Sequence, residues 1–521
     1  MPFLELRRMA ARGAGSQRDD GYSPGLVPTA RLAIVFNLAL GVAAGWLLWR
    51  SLSWPLVGDA TIFHFIAAQF QFGAVPYRDI FDINMPLTYF IHAAVLAIGG
   101  MGDVAWRAFD LTAAVLMSSL ILMLVWPAGR AAAILAVLTV VVTHLLLGPY
   151  SAGQRDFLMS IPALAATLAL AKAAEGQEHR HFYVMLAGAF AMTAASIKPS
   201  GMLLLLLPVF AGVGRDWREL LWVIIGAAGT VILVFGMLAA WGGLGSFITM
   251  MPGMMARYAS LGTRTVSEIC EDVVVWLAPT TGLTLAAVLN ISAPKPPRVR
   301  VMIGLTLFGL IHLLIQRKGW FYHVYPLGIG LACWGAWSLA SLPPWRAVLC
   351  LLVTATTPVW LLQQQPTQPV WLVQQQALAR RMHQTLHSAS AMQAALERLP
   401  RGARVQMLDS DYGAFLAMAR TGMRQATPHI QWFSLIFAED SVRRDFLASL
   451  EENPPAAVLL TNSQWPQPDG FDAADLWPKF AALLASRYVL ERFENENGIA
   501  WRLYLKRDGQ NQGINSVAAD G

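Results

Sequence analysis

Cysteine and charged residues are both scarce in this chain of 521 residues, and each scarcity excludes a class of protein. The three cysteines, Cys270, Cys333 and Cys350, lie in or beside apolar runs, which excludes a disulfide framework and the spacing of a zinc site. Charged residues make up 13% of the chain, whereas soluble proteins carry about 25%. Hydrophobic residues make up 56%. These values exclude an enzyme that is water-soluble throughout, and they predict that most of the chain lies in lipid.

The positive charge of the chain is confined to its apolar part. Residues 1–363 hold 23 Lys+Arg and 16 Asp+Glu, a net charge of +7, whereas residues 364–521 hold 15 and 16, a net charge of −1. Basic residues between apolar runs are typical of the cytoplasmic loops of membrane proteins. We therefore interpret the excess as a topology signal and expect no nucleic-acid partner.

Apolar runs of near-spanning length predict a polytopic α-helical membrane protein with about 11 transmembrane helices. The runs cover 31–51, 107–128, 131–149, 157–173, 182–197, 200–213, 220–241, 273–292, 301–316, 324–341 and 346–363. Residues 1–30 form a polar tail without a convincing cleavage site, so the first run is expected to stay as an anchor. The distribution of Lys and Arg places this tail in the cytoplasm, with a large first outside loop at 52–106 and residues 364–521 outside.

The composition changes near residue 364, where a Gln/Pro-rich linker begins. Strands alternating with helices predict a soluble α/β domain over 364–508, followed by a disordered tail at 509–521. Asp409 and Asp411 follow the first strand of this domain, where a turn or helix cap is favoured over a binding site.

The first outside loop carries the most informative residues. Asp59 comes directly after the first span, so it is a candidate general base at the membrane face or, alternatively, the N-cap of the next helix. That helix, at 61–72, is expected to lie on the membrane, with its Phe side chains towards lipid. A further set of polar residues follows in the same loop: Tyr77, Arg78, Asp79 and Asp82.

The other outside loops add one acid and several cations. "GQRDF" places Arg155 and Asp156 at a span end, where a local ion pair competes with a functional site. Cations at the outside face run against the usual bias, and binding of a lipid phosphate would explain them, although interfacial snorkelling is the alternative. These candidates are Lys198, Arg317, Lys318 and Arg107, with His323 beside them.

The order of these motifs resembles the glycosyltransferase C (GT-C) superfamily, and most of all its bacterial protein-mannosyltransferase-like branch, which includes the transferase that adds aminoarabinose to lipid A. The resemblance covers about residues 31–363 and rests on an acid after the first span, "GAVPYRD", "GQRDF", "KPSG" and "KGWFYHVYP" in that order. It implies a polyprenyl-phosphate-linked sugar donor, a glycan or lipid acceptor, and a multi-pass enzyme of the bacterial inner membrane acting at its periplasmic face. Where the aminoarabinose enzymes have a Lys before the loop proline, this chain has Asn84 and Met85.

Carried over by motif, the resemblance implies that Asp59 is catalytic, that Lys198 lies near the donor phosphate, and that Asp156 matches an acid that helps some relatives hold a divalent metal. A possible divalent ion is thus the one cofactor implied, and the sequence has no His/Cys cluster that demands one. The expected reaction is an inverting displacement at an anomeric carbon, with Asp59 as base and Lys198, aided by Arg317 or Lys318, offsetting the charge of the leaving phosphate.

Two other functions compete with glycosyl transfer. Many spans with ionisable groups would suit a transporter or flippase for a lipid-linked or polar solute, but the charges cluster at one face and no inverted repeat is visible. A binding domain on a membrane anchor is the third hypothesis, and eleven spans are far more than anchoring requires.

Overall fold

The computed structural model describes residues 26–176, 178–213, 216–363, 370–409, 413–431, 435, 439–462, 472–496 and 499–507. Most of the predicted N-terminal tail, the predicted disordered tail at 509–521 and Asp411 lie outside these residues.

Helices dominate the chain up to residue 363. They are α1 Leu26–Ser51, α2 Asp59–Gln69, α3 Pro86–Gly99, α4 Asp103–Val125, α5 Arg130–Leu147, α6 Arg155–Ala174, α7 Arg180–Ile197, α8 Trp217–Ala240, α9 Leu244–Ser260, α10 Val266–Trp276, α11 Thr281–Leu289, α12 Pro297–Gln316, α13 Tyr325–Ala340 and α14 Pro344–Gln363. Short 3-10 helices lie between some of them, and the longest, Pro199–Ala211, follows α7 directly.

Six helices of the described chain are long and apolar enough to cross a membrane, or seven if the bent pair α10–α11 counts as one span. Three shorter apolar helices, Pro86–Gly99, Pro199–Ala211 and Pro344–Thr357, fall below that length. Each predicted apolar run coincides with one of these helices, with α7 or with α13, and the count of about 11 spans stays a prediction.

Close helix packing in this part depends on glycine. A Cβ on Gly188 of α7 would lie 2.1 Å from the Val223 carbonyl oxygen, and a Cβ on Gly226 of α8 would lie 1.9 Å from the Met185 carbonyl oxygen. The two backbones therefore touch reciprocally, as small residues allow between membrane helices.

The C-terminal part, residues 370–507, holds the five-stranded sheet. Its helices are α15 Val370–Leu396, α16 Gly413–Thr421, α17 Asp440–Glu452, α18 Ala473–Leu476 and α19 Pro478–Arg487, and its strands are β1 Arg404–Leu408, β2 Arg424–Gln425, β3 Ala457–Thr461, β4 Tyr488–Glu496 and β5 Ile499–Lys506. The strand order is β2-β1-β3-β5-β4, parallel among the first three strands and antiparallel from β3 onwards.

Successive strand residues face opposite layers of this sheet, because side chains alternate along a strand. Val405 and Leu459 join a core with α15, α16 and α2, whereas Val458 and Leu460 join a second core with α17 and α19. His429 and Gln431 form single β-bridges to Phe81 and Asp409, and β2 lies a few residues before them in the chain.

Helix α2 differs most from its predicted environment. Every residue of α2 is buried, and Phe63, Phe65 and Ile66 are at most 1% exposed. They pack against α3 on one side and the C-terminal part on the other, so the prediction that these Phe side chains face lipid was wrong. The physical reason is that the C-terminal part covers the apolar surface that the sequence pattern assigned to the membrane.

Candidate active site

Asp59 is the first residue of α2, one position after the N-cap. The N-cap is Gly58, which has a φ of 67° and makes no side-chain cap. The Tyr322 hydroxyl donates to Asp59 Oδ2 at 3.1 Å, and Arg155 Nη2 lies 3.6 Å from the same oxygen. The carboxylate is therefore fixed by residues far away in sequence, and the N-cap alternative is not what the structure shows.

Asp156, in the first turn of α6, is fully buried and anchors a second group of charges. Lys198 Nζ donates to its two oxygens at 2.9 and 2.8 Å, and His312 Nε2 lies 2.6 Å from Oδ1. Ser200 Oγ lies 2.8 Å from His312 Nδ1. The arrangement fits an imidazole that donates from Nε2 to the carboxylate and accepts the Ser200 hydroxyl at Nδ1.

Arg155 joins these two groups. Its positive charge acts on Asp59, Asp156 and Lys198, and it also acts on Asp82 in the first loop. Arg155 and Asp156 are neighbours in "GQRDF" but have different partners. Arg155 pairs with Asp59, and Asp156 pairs with Lys198. The first two outside loops consequently meet at one place.

The first outside loop contributes Asp82 to the group of charged residues around Arg155. The Tyr89 hydroxyl donates to Asp82 at 2.7 Å and Asn84 Nδ2 donates to it at 2.6 Å. Burial raises the pKa of Asp82, while these hydrogen bonds and the Arg155 charge oppose the rise. Tyr77, with a positive φ of 68°, donates to the Asn84 carbonyl oxygen at 2.5 Å. Tyr77 and Asp82 are therefore buried supports of the loop.

Two other predicted loop residues lie at the surface. Arg78 and Asp79 form an exposed neighbour pair at 2.7 Å, and the Asp79 carboxylate closes the turn by accepting the Val75 N–H at 2.8 Å. Their contacts hold the turn, so the predicted substrate role has no support in them.

The predicted phosphate-binding cations lie in three different settings. Lys318 Nζ donates to the Tyr258 and Ala259 carbonyl oxygens at 2.9 and 3.2 Å, where it caps the end of α9. Burial and then the Arg317 charge lower the pKa of Lys318 to about 8. Arg317 itself is exposed and ends α12 with a φ of 51°. The contacts described for Lys318 and Arg317 do not include Lys198, and phosphate binding by these two residues stays a prediction.

Arg107 lies in a different setting, within a buried polar network. Its guanidinium is buried against Asp110 and Ser51, and it stacks 4.3 Å over the Trp54 ring. Asp110 also accepts the Gly153 N–H at 2.8 Å. Arg107 thus belongs to a buried network that supports the loop leading to Arg155.

His323 is buried next to the Asp156 group, with its ring edge-on to His312 at 6.1 Å and to Tyr322 at 5.0 Å. Of the predicted residues, the structure brings Asp59, Asp156, Lys198, His323 and Asp82 together. It leaves Arg78, Asp79 and Arg317 at the surface.

A divalent metal does not fit these side chains. The two oxygens of Asp156 face an ammonium group and an imidazole, so a cation placed there would meet the positive charge of Lys198 at close range. Within the described part of the chain, no group of three or more His, Cys, Asp or Glu residues could hold a metal ion.

Sequence reasoning assigned no role to Tyr322, His312 or Ser200. Tyr322 stands beside the predicted His323, and Ser200 stands two residues after Lys198, so the motifs contained the signal. His312 lies inside an apolar run, and a single His there is more often a satisfied core residue.

Solved structures share this architecture. ArnT from Cupriavidus metallidurans bound to undecaprenyl phosphate matches with a TM-score of 0.59 and 14% identity, over 89% of this chain and 97% of ArnT. The same protein in its apo state matches with a TM-score of 0.54 and 14% identity, over 91% and 98%. The chain therefore has a GT-C fold.

Comparison with solved structures detects the GT-C fold, whereas comparison of the sequence with family models and curated proteins does not. No family model matches the sequence, and no curated protein matches it. At 14% identity the likeness to ArnT establishes the fold, which agrees with the resemblance inferred from the motif order.

Proposed function

We propose that the chain is a membrane glycosyltransferase that moves a sugar from a polyprenyl-phosphate donor to a hydroxyl group of a cell-envelope glycan or lipid. The observation that carries the proposal is the position of Asp59, held by Tyr322 and Arg155 beside the buried Asp156–Lys198 pair. The GT-C fold and the undecaprenyl phosphate bound to ArnT support this choice of donor.

The residues suit a single displacement with inversion. The acceptor oxygen bonds to the anomeric carbon, the carbon–phosphate oxygen bond breaks with its electron pair on the phosphate, and Asp59 takes the hydroxyl proton. An ammonium has three hydrogens, and the contacts of Lys198 with Asp156 use two, so the third is left for a phosphate oxygen. Lys198 thereby offsets charge on the leaving group.

The proposed topology follows from the Lys and Arg distribution. It has a cytoplasmic N-terminus, about 11 spans across the bacterial inner membrane and a soluble periplasmic α/β domain made by the C-terminal part. The site then lies at the periplasmic face, where a lipid-phosphate leaving group can stay in the bilayer.

Asp59→Asn tests the proposal, with Asp440→Asn as a control because Asp440 is an exposed acid in α17. Both variants are expressed in a strain that lacks the chromosomal copy, and envelope glycans and lipid carriers are analysed by mass spectrometry. Removing the general base should slow transfer about 10²–10⁴-fold and accumulate the lipid-linked sugar, with unchanged protein level. Transfer at the wild-type rate by Asp59→Asn would show that the base assignment is wrong.

A further inference from the structure

Helix α2 connects the proposed base to the C-terminal part. Asp59 is its first residue and Gln69 its last, and the Phe65 ring packs 5.6 Å from the Phe415 ring of α16. The helix is therefore enclosed by protein on both sides, and the C-terminal part forms one of the enclosing walls.

Gln69 makes the most specific contact between these parts. Its Nε2 donates to the Met423 carbonyl oxygen at 2.9 Å, and its Oε1 accepts the Gln425 N–H at 3.0 Å. The side chain is 2% exposed, so the two bonds form away from water. Because the amide is planar and is bonded on both sides to one backbone edge, it fixes the position and the rotation of the last turn of α2.

A buried histidine pair supports the middle of the helix. His64 Nδ1 lies 2.6 Å from His92 Nδ1 of α3, halfway between Asp59 and Gln69. If α2 rotates as a rigid body about this midpoint, a displacement of Gln69 displaces Asp59 by a similar distance in the opposite direction. Such a displacement would pull Asp59 out of line with Arg155 and Tyr322.

The C-terminal part also contacts the first outside loop at a second point, after α2. The Phe81 N–H donates to the Pro428 carbonyl oxygen at 2.8 Å, directly before Asp82. Backbone contacts of the C-terminal part therefore follow α2 and precede the buried acid of the first loop.

We propose that Gln69 is a positioning residue through which the C-terminal part fixes Asp59 in its catalytic orientation. This inference rests on the proposed function for the effect on transfer, but not for the effect on α2 itself. The C-terminal part then completes the active site without contributing a reacting group.

Hydrogen exchange of the full-length protein in detergent tests whether Gln69 holds α2 in place, and this experiment needs no substrate. Gln69→Ala should raise amide exchange across residues 59–69 by about tenfold or more, whereas exchange in α16 stays near the wild-type value. The control is Arg420→Ala, which breaks a different contact between the two parts, the 3.0 Å bridge from Arg420 to Asp103. Unchanged exchange in α2, or an equal rise in the control, would overturn the proposal.

Transfer rates test the link to Asp59. Membranes of the deletion strain supply accumulated donor and unmodified acceptor, and product is measured by mass spectrometry at saturating membrane concentration. Gln69→Ala should lower this rate about 10–100-fold, since a displacement of about 1 Å can cost that much. Wild-type amide exchange in α16 of Gln69→Ala, measured in the first experiment, guards against a variant that fails to fold.

A double-mutant comparison separates positioning from general damage. In the Asp59→Asn background, Gln69→Ala should change the remaining rate by less than about twofold, because the group it positions is gone. A further loss as large as in the wild-type background would overturn the positioning role. Wild-type transfer by Asp59→Asn would overturn the base assignment instead, and no transfer by the wild-type protein would overturn the proposed function. In either case the exchange experiment would still decide whether Gln69 holds the helix.

Discussion

Replacing Lys198 by Met should destabilise the protein strongly, because it leaves the Asp156 carboxylate buried without its counter-charge. Asp156 is 0% exposed and accepts two bonds from Lys198, at 2.8 and 2.9 Å. After the substitution, the contact with His312 is the one that remains among the hydrogen bonds described for the Asp156 carboxylate. Met has a similar length and no charge, so the change removes the ion pair with little loss of packing.

The size of the effect follows from burial. Removing one partner of a buried ion pair costs about 3–5 kcal/mol, because the remaining charge is neither hydrated nor paired. Removing both charges costs less, so Lys198→Met combined with Asp156→Asn should be more stable than Lys198→Met alone. By contrast, Arg78→Met removes half of an exposed pair that solvent screens, and its stability should stay close to that of the wild-type protein.

The cysteines of the chain provide the assay. Cys333 and Cys350 are buried and Cys270 is exposed, so a Cys270→Ser background reacts with a fluorogenic maleimide only as the protein unfolds. The variants are compared by the rate of dye reaction on heating in detergent, since unfolding of such proteins is often irreversible. If Lys198→Met reacts at the wild-type rate, or the double variant is less stable than Lys198→Met, the pair does not contribute as argued.

Two further predictions concern packing and pH. Gly226→Ala should destabilise the protein by about 1–3 kcal/mol, because its Cβ would meet the Met185 carbonyl oxygen at 1.9 Å, while Gly229→Ala has open space and should be neutral in the same thiol assay. Burial, then the Arg257 charge, lowers the pKa of His429 to about 4 from 6.5. The unfolded chain therefore binds this proton more readily, so stability should fall by about 3 kcal/mol as pH drops from 6.5 to 4. His429→Gln should remove that pH dependence in denaturant titrations, and an unchanged slope would contradict it.

The sequence by itself determined where most helices up to residue 363 lie. Apolar runs bounded by Gly, Pro and charged residues coincide with α1, α4 to α8 and α12 to α14, since a membrane helix needs a continuous apolar segment. The order of acidic and basic motifs also sufficed to indicate the GT-C fold.

The tertiary structure alone decided which charges meet. Asp59 contacts Tyr322 across 263 residues, and Asp156 contacts His312 across 156 residues, and such pairs leave no periodicity to detect. It also decided the setting of α2, because an apolar helix face looks the same in sequence whether it packs on lipid or on protein. The sequence also marked Arg107 and Lys318 as cations at the outside face. Only the tertiary structure shows that Arg107 pairs with Asp110 and that Lys318 donates to the end of α9.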